Sequence, residues 1–478
     1  MRVVDPTTAE DAETVSASRS HFPPDFAWGT ATASYQVEGA TDADGRGPSI
    51  WDTFSRVPGA IADGQTGDLA DDHYRRFRED VAVMADLGVN AYRFSIAWPR
   101  IQADGTGPAN AAGLRFYREL SEELLEHGIT PWATLYHWDL PQTLEDRGGW
   151  LDRDTAERFG EYTSAVVGEL GDVVDHWITL NEPWCSAFLG YGSGVHAPGR
   201  QVGSHAARAG HHLLLGHGRG LEAIRAAQPG ATAGITLNLY SVRAASGSPA
   251  DQDALRRIDG LSNRFFLEPV LDGHYPQDVL DDLGETEWFA ENAAADAEAI
   301  GAPIDFLGIN YYSRHVVAAP PLGSSVLGDA GGLTYPGSES VQFVDTGAPR
   351  TQMGWPIHPE GMVDVLEMAH AHQPGLPLYI TENGSAYPDA VVDGEVEDED
   401  RRRYLEQHVL ACSAALHRGL PLKGYFAWTL TDNFEWAWGY SRRFGLVHVD
   451  YATQQRTVKD SGHWYAGVIA ANAVPADR

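Results

Sequence analysis

Short apolar runs rich in β-branched and aromatic residues alternate along this chain with longer stretches of helical period. Eight such runs predict strands over 26–30, 89–96, 130–135, 175–180, 232–239, 304–309, 378–381 and 424–428. Between them Tyr74, Phe77, Val81, Met84 and Leu87 recur at spacings of three and four, the stripe of an amphipathic helix. Leu114, Tyr117, Leu120 and Leu124 repeat the pattern, as do Phe159, Tyr162, Val166 and Leu170. Strands alternating with helices predict a parallel sheet, either closed as a barrel or open and doubly wound. What stands at or past the strand ends favours closure: Gln36, Arg93, His137, Asn181, Glu182, Asn238, Asn310, Tyr312, Glu382 and Trp428. A barrel gathers such residues at one mouth, whereas an open sheet spreads them along an edge. The expectation is an α/β protein with a single (β/α)8 barrel and long βα loops over 21–470. An acidic flexible tail at 1–20 and a short one at 471–478 flank it, and a Gly- and Pro-rich insertion at 318–353 follows the sixth strand.

Length alone would suggest more. At roughly 150 residues per domain, 478 residues allow three domains, but the continuous alternation uses the whole length for one. Charge narrows the partners: 34 basic against 67 acidic residues give −33, which argues against nucleic acid or an anionic membrane surface. Lys423 and Lys459 are the sole lysines, a bias of codon usage or of adaptation to salt. Neither lysine sits in a Walker loop or a kinase Val-Ala-Ile-Lys strand. Two cysteines, Cys185 and Cys412, provide no disulfide framework. The first 20 residues have no apolar centre, and no apolar run reaches the ~18 residues of a membrane span. A cytoplasmic location is the default expectation, and the sequon at Asn383 is discounted with it.

Two carboxylates stand out by placement. Glu182 in W-I-T-L-N-E-P-W follows the fourth strand, and Glu382 in L-Y-I-T-E-N-G-S follows the seventh. Residues from those strands can face each other across a barrel mouth. Paired carboxylates in an aromatic cleft are what glycoside hydrolysis needs, one acid for the leaving oxygen and one base or nucleophile at the anomeric carbon. Fourteen tryptophans include Trp138, Trp355, Trp428, Trp436 and Trp438 near predicted loop ends. Indole faces pack on the apolar face of a pyranose while amides, acids and imidazole bind its hydroxyls.

The ordered set F-A-W-G-T-A-T-A-S-Y-Q-V-E-G, R-G-P-S-I-W-D, Y-R-F-S-I-A-W-P-R, Y-H-W-D-L-P, T-L-N-E-P, G-I-N-Y-Y, Y-I-T-E-N-G and D-N-F-E-W resembles glycoside hydrolase family 1, the retaining β-glucosidase family. The resemblance runs from about Phe22 to Gly467. It implies an exo-acting β-glucosidase with Glu182 as general acid/base and Glu382 as nucleophile, and with no cofactor or metal. The substrate would be a small β-glycoside such as cellobiose, a short β-gluco-oligosaccharide or an aryl β-glucoside. A retaining pair of this kind stands ~5–5.5 Å apart, and the charge on Glu382 should raise the pKa of Glu182. Arg93 and Tyr312 match the groups that hold the nucleophile ionised. Gln36, His137, Trp138, Asn181 and Glu435 match positions that bind sugar hydroxyls, with Asn181 at the 2-hydroxyl and Asn310 beside them. Trp428 matches the floor under the ring, Trp436 a hydroxyl donor and Trp355 a platform for the leaving group. Alternatives are a broader β-glycosidase acting on β-fucosides or β-galactosides, a 6-phospho-β-glucosidase, and a silent sugar-binding barrel. Glu435 is retained and Ser441-Arg442-Arg443-Phe444-Gly445 lacks the Lys and Tyr of the phosphate site, although Arg443 is a cation nearby.

Other clusters read as structure. His211, His212 and His217 lie on a helical pattern without the H-E-x-x-H spacing of a zinc site. The stretch 41–45 fails the calcium-loop pattern, with Ala40 at its first position and Trp51 at its twelfth. The charge run over 393–403 reads as a solvated loop entering a helix. Cys185, three residues past Glu182, reads as a small buried hydrophobe.

Overall fold

Eight parallel strands form a closed ring: β1 (Ala27–Ala31), β2 (Ala91–Ser95), β3 (Thr130–Tyr136), β4 (His176–Asn181), β5 (Thr232–Asn238), β6 (Phe306–Asn310), β7 (Leu378–Asn383) and β8 (Leu422–Trp428). Each lies beside its neighbour in sequence, and β8 closes on β1 with Ala27 opposite Gly424 and Ala31 opposite Trp428. The expected (β/α)8 barrel is therefore the fold, and the open-sheet alternative drops out. The structure, a computed structural model, describes residues 21–320 and 334–474. Residues 1–20 and 475–478 of the expected tails, and 321–333 of the expected insertion, lie outside the described residues. Next to the C-terminal stretch, Asn472 accepts a bond from Trp28 Nε1–H at 2.9 Å and donates to the Phe22 carbonyl at 2.8 Å.

The strands are nearly continuous in apolar residues because both faces are covered. Helices α1 (His73–Leu87), α2 (Ala111–Glu126), α3 (Asp154–Leu170) and α4 (Ala206–Ala227) fill the first four crossovers, and α5 (Pro249–Asp259) opens the fifth. Helices α6 (Glu360–His372), α7 (Glu399–His417) and α8 (Asp460–Ala471) complete the ring. The sequence stripes are the buried faces: Phe77, Val81, Met84 and Leu87 on α1, and Phe159, Tyr162, Val166 and Leu170 on α3. Tyr74 and Leu114 at the rims of their stripes are half-buried, and the Arg100 guanidinium sits 4.2 Å above the Tyr74 ring. Helix α1 stops at Gly88, whose φ of 75° is the left-handed cap that glycine favours.

Inside the ring the floor is aromatic. Trp132 packs its indole 5.2 Å from Phe306, 4.9 Å from Tyr379 and 5.3 Å from Phe426, centroid to centroid. One layer higher the interior turns polar, with Arg93 Nε donating to Thr134 Oγ1 at 3.2 Å and Thr381 Oγ1 to Asn310 Oδ1 at 2.8 Å. Gln342–Phe343 of the insertion after β6 joins a small outer sheet, pairing with Arg314–Ala318, which pairs in turn with Ser241–Ala244 from the loop after β5.

Candidate active site

Two local irregularities deliver the carboxylates. In a regular strand neighbouring side chains point to opposite faces, yet Thr381 and Glu382 both face the barrel interior. The pairing of β7 with β6 slips between Ile380 and Glu382, so Glu382 pairs with Asn310. Irregularities of this kind re-aim a side chain beside an active site. At the end of β4, Asn181 and Glu182 both enter the mouth because Glu182 adopts φ 46°, a left-handed conformation costly for a residue with a Cβ. The Glu182 N–H bonds the Thr236 carbonyl of β5 at 3.0 Å, which fixes that turn.

Arg93, fully buried on β2, links the two sides. Its Nη1 donates to Glu382 Oε1 at 2.5 Å and its Nη2 to Asn181 Oδ1 at 2.5 Å. Tyr312 Oη donates to the second oxygen of Glu382 at 2.8 Å. Asn310 Nδ2 donates to Glu182 Oε1 at 2.7 Å and to Asn181 Oδ1 at 3.1 Å. With Oδ1 of Asn181 taken by two donors, its Nδ2 faces His137 Nε2 at 3.0 Å, and Trp138 Nε1–H bonds the Asn181 carbonyl at 3.0 Å.

The environments split the pair. Burial raises both carboxyls. Glu382 has the Arg93 guanidinium and the Tyr312 hydroxyl to hold its anion. Glu182 is pushed up to about 7, first by burial and then by the negative charge of Glu382, with Asn310, Cys185 and Arg93 opposing. The negative charge belongs on Glu382 and the proton on Glu182, since two nearby buried acids do not both ionise. His137 is held neutral by burial and by Arg93.

Around the acids lies a polar and aromatic rim. Gln36, on a short helix after β1, donates through Nε2 to the Phe434 carbonyl at 2.9 Å, to Asn433 Oδ1 at 3.1 Å and to Glu435 Oε2 at 3.4 Å. Glu435 is buried and raised to about 8, by desolvation and by Glu382 and Glu182. Gln36 Oε1 and His137 Nδ1 are buried without a protein partner, the state of groups placed to meet a polar ligand. Trp436 packs 4.5 Å from Trp138 and 4.5 Å from Trp51, and Trp428 lies 5.9 Å from His137. Trp355 is half-buried, 5.3 Å from the Tyr312 ring. Trp438 is instead exposed, with the Arg442 guanidinium over its ring at 4.2 Å.

The structure also brings to the site residues that the sequence does not mark as part of it. Cys185 Sγ lies 3.1 Å from Glu182 Oε2, so it is a polar partner of that carboxyl as well as a small buried side chain. Thr134 and Asn433 hold Arg93 and Gln36. Arg443 is committed to Asp432 at 2.6 Å and to the Val449 carbonyl at 3.0 Å. The histidines of α4 bond their surroundings separately: His211 to Tyr275 and Asp296, His212 to the Trp150 carbonyl and His217 to Thr179.

Known proteins resemble the chain over nearly its whole length. The beta-glucosidase A of Thermotoga maritima is 46% identical over 455 residues, covering 95% of this chain and 98% of its own. A bifunctional beta-D-glucosidase/beta-D-fucosidase of Bifidobacterium breve is 47% identical over 465 residues, covering 94% and 98%. Among solved structures, a family 1 b-glucosidase from Thermotoga maritima superposes with a TM-score of 0.90 at 45% identity, over 96% of this chain and 100% of that one. The profile of glycosyl hydrolase family 1 matches residues 18–474, and the chain belongs to that family.

Proposed function

We propose that the protein is a retaining, exo-acting β-glucosidase that releases terminal nonreducing glucose from cellobiose, short β-gluco-oligosaccharides and aryl β-glucosides. The observation that carries this reading is the buried pair, with Glu382 held as an anion by Arg93 and Tyr312 and Glu182 raised to about 7. Glu382 attacks the anomeric carbon as Glu182 gives its proton to the departing glycosidic oxygen, leaving a glycosyl ester on Glu382. Glu182, now a carboxylate, takes a proton from water. That water attacks the anomeric carbon and releases Glu382, so two inversions give net retention. Asn181 and His137 are assigned to the hydroxyls near the reacting carbon, and Gln36, Glu435 and Trp436 to those at the far end of the ring. Trp428 is assigned beneath the ring, Trp138 beside it and Trp355 at the leaving group.

A broader glycone range is a second reading. It is supported by the Bifidobacterium breve relative, whose name joins glucosidase and fucosidase activities. A phosphorylated glycone is disfavoured, because Arg443, the cation nearby, is tied to Asp432, and Glu435, an acid, brings no positive charge to a phosphate. No helix among the described residues is long and apolar enough to cross a membrane.

The test is Glu182→Ala with an activated aryl β-glucoside and added azide. The reading expects slow turnover that azide restores, with β-glycosyl azide as product; an α product would overturn retention.

A further inference from the structure

The two oxygens of Glu182 have different neighbours. Oε1 accepts the Asn310 amide bond at 2.7 Å, and Oε2 lies 3.1 Å from Cys185 Sγ. An amide N–H can only donate, so Oε1 is fixed as an acceptor and a proton on Glu182 belongs on Oε2. A thiol at that position serves both protonation states. It accepts weakly from Oε2–H, and it donates S–H to Oε2 once the proton has left. Burial and the charge of Glu182 push the Cys185 thiol well above its usual range, so it stays S–H. Its place is set by the backbone: the Cys185 N–H bonds the Glu182 carbonyl at 3.0 Å, where the chain enters the helical segment Cys185–Ser193.

We infer that Cys185 is a positioning residue for the acid/base, through an S–H bond to Glu182 Oε2 that strengthens as the proton passes to the glycosidic oxygen. The inference rests on Glu182 being the acid/base. Negative charge grows on Oε2 in the first transition state, so a donor already aimed at that atom favours the transition state over the ground state. In the second step Oε2 must take a proton back from water. A weak donor releases it more readily than a strong one.

The other titratable and charged groups whose fields reach Glu182 are Glu382, Arg93, Tyr312, Glu435 and Tyr240, and Tyr335 lies on the Cys185 side. All of them stay in place when only position 185 is changed. Removing a bond to the ionised form raises a carboxyl pKa, and strengthening that bond lowers it.

The experiment compares pH profiles of kcat/KM for the wild type, Cys185→Ala and Cys185→Ser, on an alkyl β-glucoside and on 2,4-dinitrophenyl β-glucoside. The alkaline limb of Cys185→Ala should move up by about 0.5 pH unit, and that of Cys185→Ser, with its stronger donor, should move down. Cys185→Ala should lose about 5-fold more on the alkyl glucoside, whose leaving group needs the proton, than on the dinitrophenyl one. A Cys185→Ala limb that coincides with the wild type, shifts of the same sign in both variants, or equal losses on both substrates would overturn the inference. Thermal melts verify folding; if Cys185→Ala does not fold, the sign of the Cys185→Ser shift decides, downward in support and absent or upward against. An error in the acid/base assignment shows differently, as a Glu182→Ala variant that keeps the wild-type alkaline limb.

Discussion

Glu435 is buried near the paired acids at the expense of the fold. Its carboxyl is raised from 4.5 to about 8, chiefly because burial strips it of water and then because Glu382 and Glu182 repel its charge. The sign follows from linkage: an acid whose folded pKa exceeds its unfolded value binds protons better when folded. Its cost to stability is therefore absent below about pH 4 and grows as the pH rises toward 8. Glu435→Gln should melt at a higher temperature than wild type at pH 8, with the gap closing toward pH 4.5, while its KM for aryl glucoside rises; thermal unfolding at the two pH values measures this. Stability gained by removing a functional group is the usual trade at such sites. At this scale Glu182 and Glu382 were legible as candidates because each lies at the C-terminal end of a strand inside a distinctive run of residues. The left-handed backbone of Glu182 and the Cys185 contact were not, since both depend on how β4 meets β5 and on a turn no period reveals.

At the scale of elements, all eight strands were legible to within a few residues, because runs buried on both faces carry little but apolar and aromatic side chains. Arg93 is an informative exception, a guanidinium inside β2, satisfied by Glu382, Asn181 and Thr134. Pairing irregularity in β7 was not legible either, since a strand pattern gives the period and not its interruption. Beneath the acids, the Trp132 floor touches Phe306, Tyr379 and Phe426, from β6, β7 and β8, and so braces the strands that carry the site. Trp132→Ala leaves a cavity there and should cost about 3–5 kcal/mol, seen as a lower denaturant midpoint. A midpoint unchanged from wild type would mean that the floor is not what supports the barrel at that level.

For the molecule as a whole, the charge of −33 says little about a neutral sugar substrate, but the two lysines separate cleanly. Lys423 is exposed, whereas Lys459 is fully buried and reaches Asp389 at 2.5 Å and Asp432 at 2.6 Å. Arg401 bonds Asp389 and Asp398, and Arg443 bonds Asp432, so three acids meet three bases. The cluster ties the loops after β7 and β8 to α7 and to the start of α8, and Asp432 stands three residues before Glu435. Lys459→Met leaves the buried cluster with three carboxylates and two cations and should cost about 3–5 kcal/mol, against ±0.5 kcal/mol for Lys423→Met, by denaturant unfolding of both. That cluster was not legible in sequence, because its members come from separate loops and read singly as surface charges. The proposed reaction turns on one bond, that between Glu382 and the sugar. Incubation with an activated 2-deoxy-2-fluoro-β-glucoside, then digestion and mass spectrometry of the peptides, tests it most directly. A single fluoroglucosyl adduct on Glu382 should form as activity is lost; an adduct on Glu182, or inactivation with no covalent adduct, would rule out Glu382 as the nucleophile.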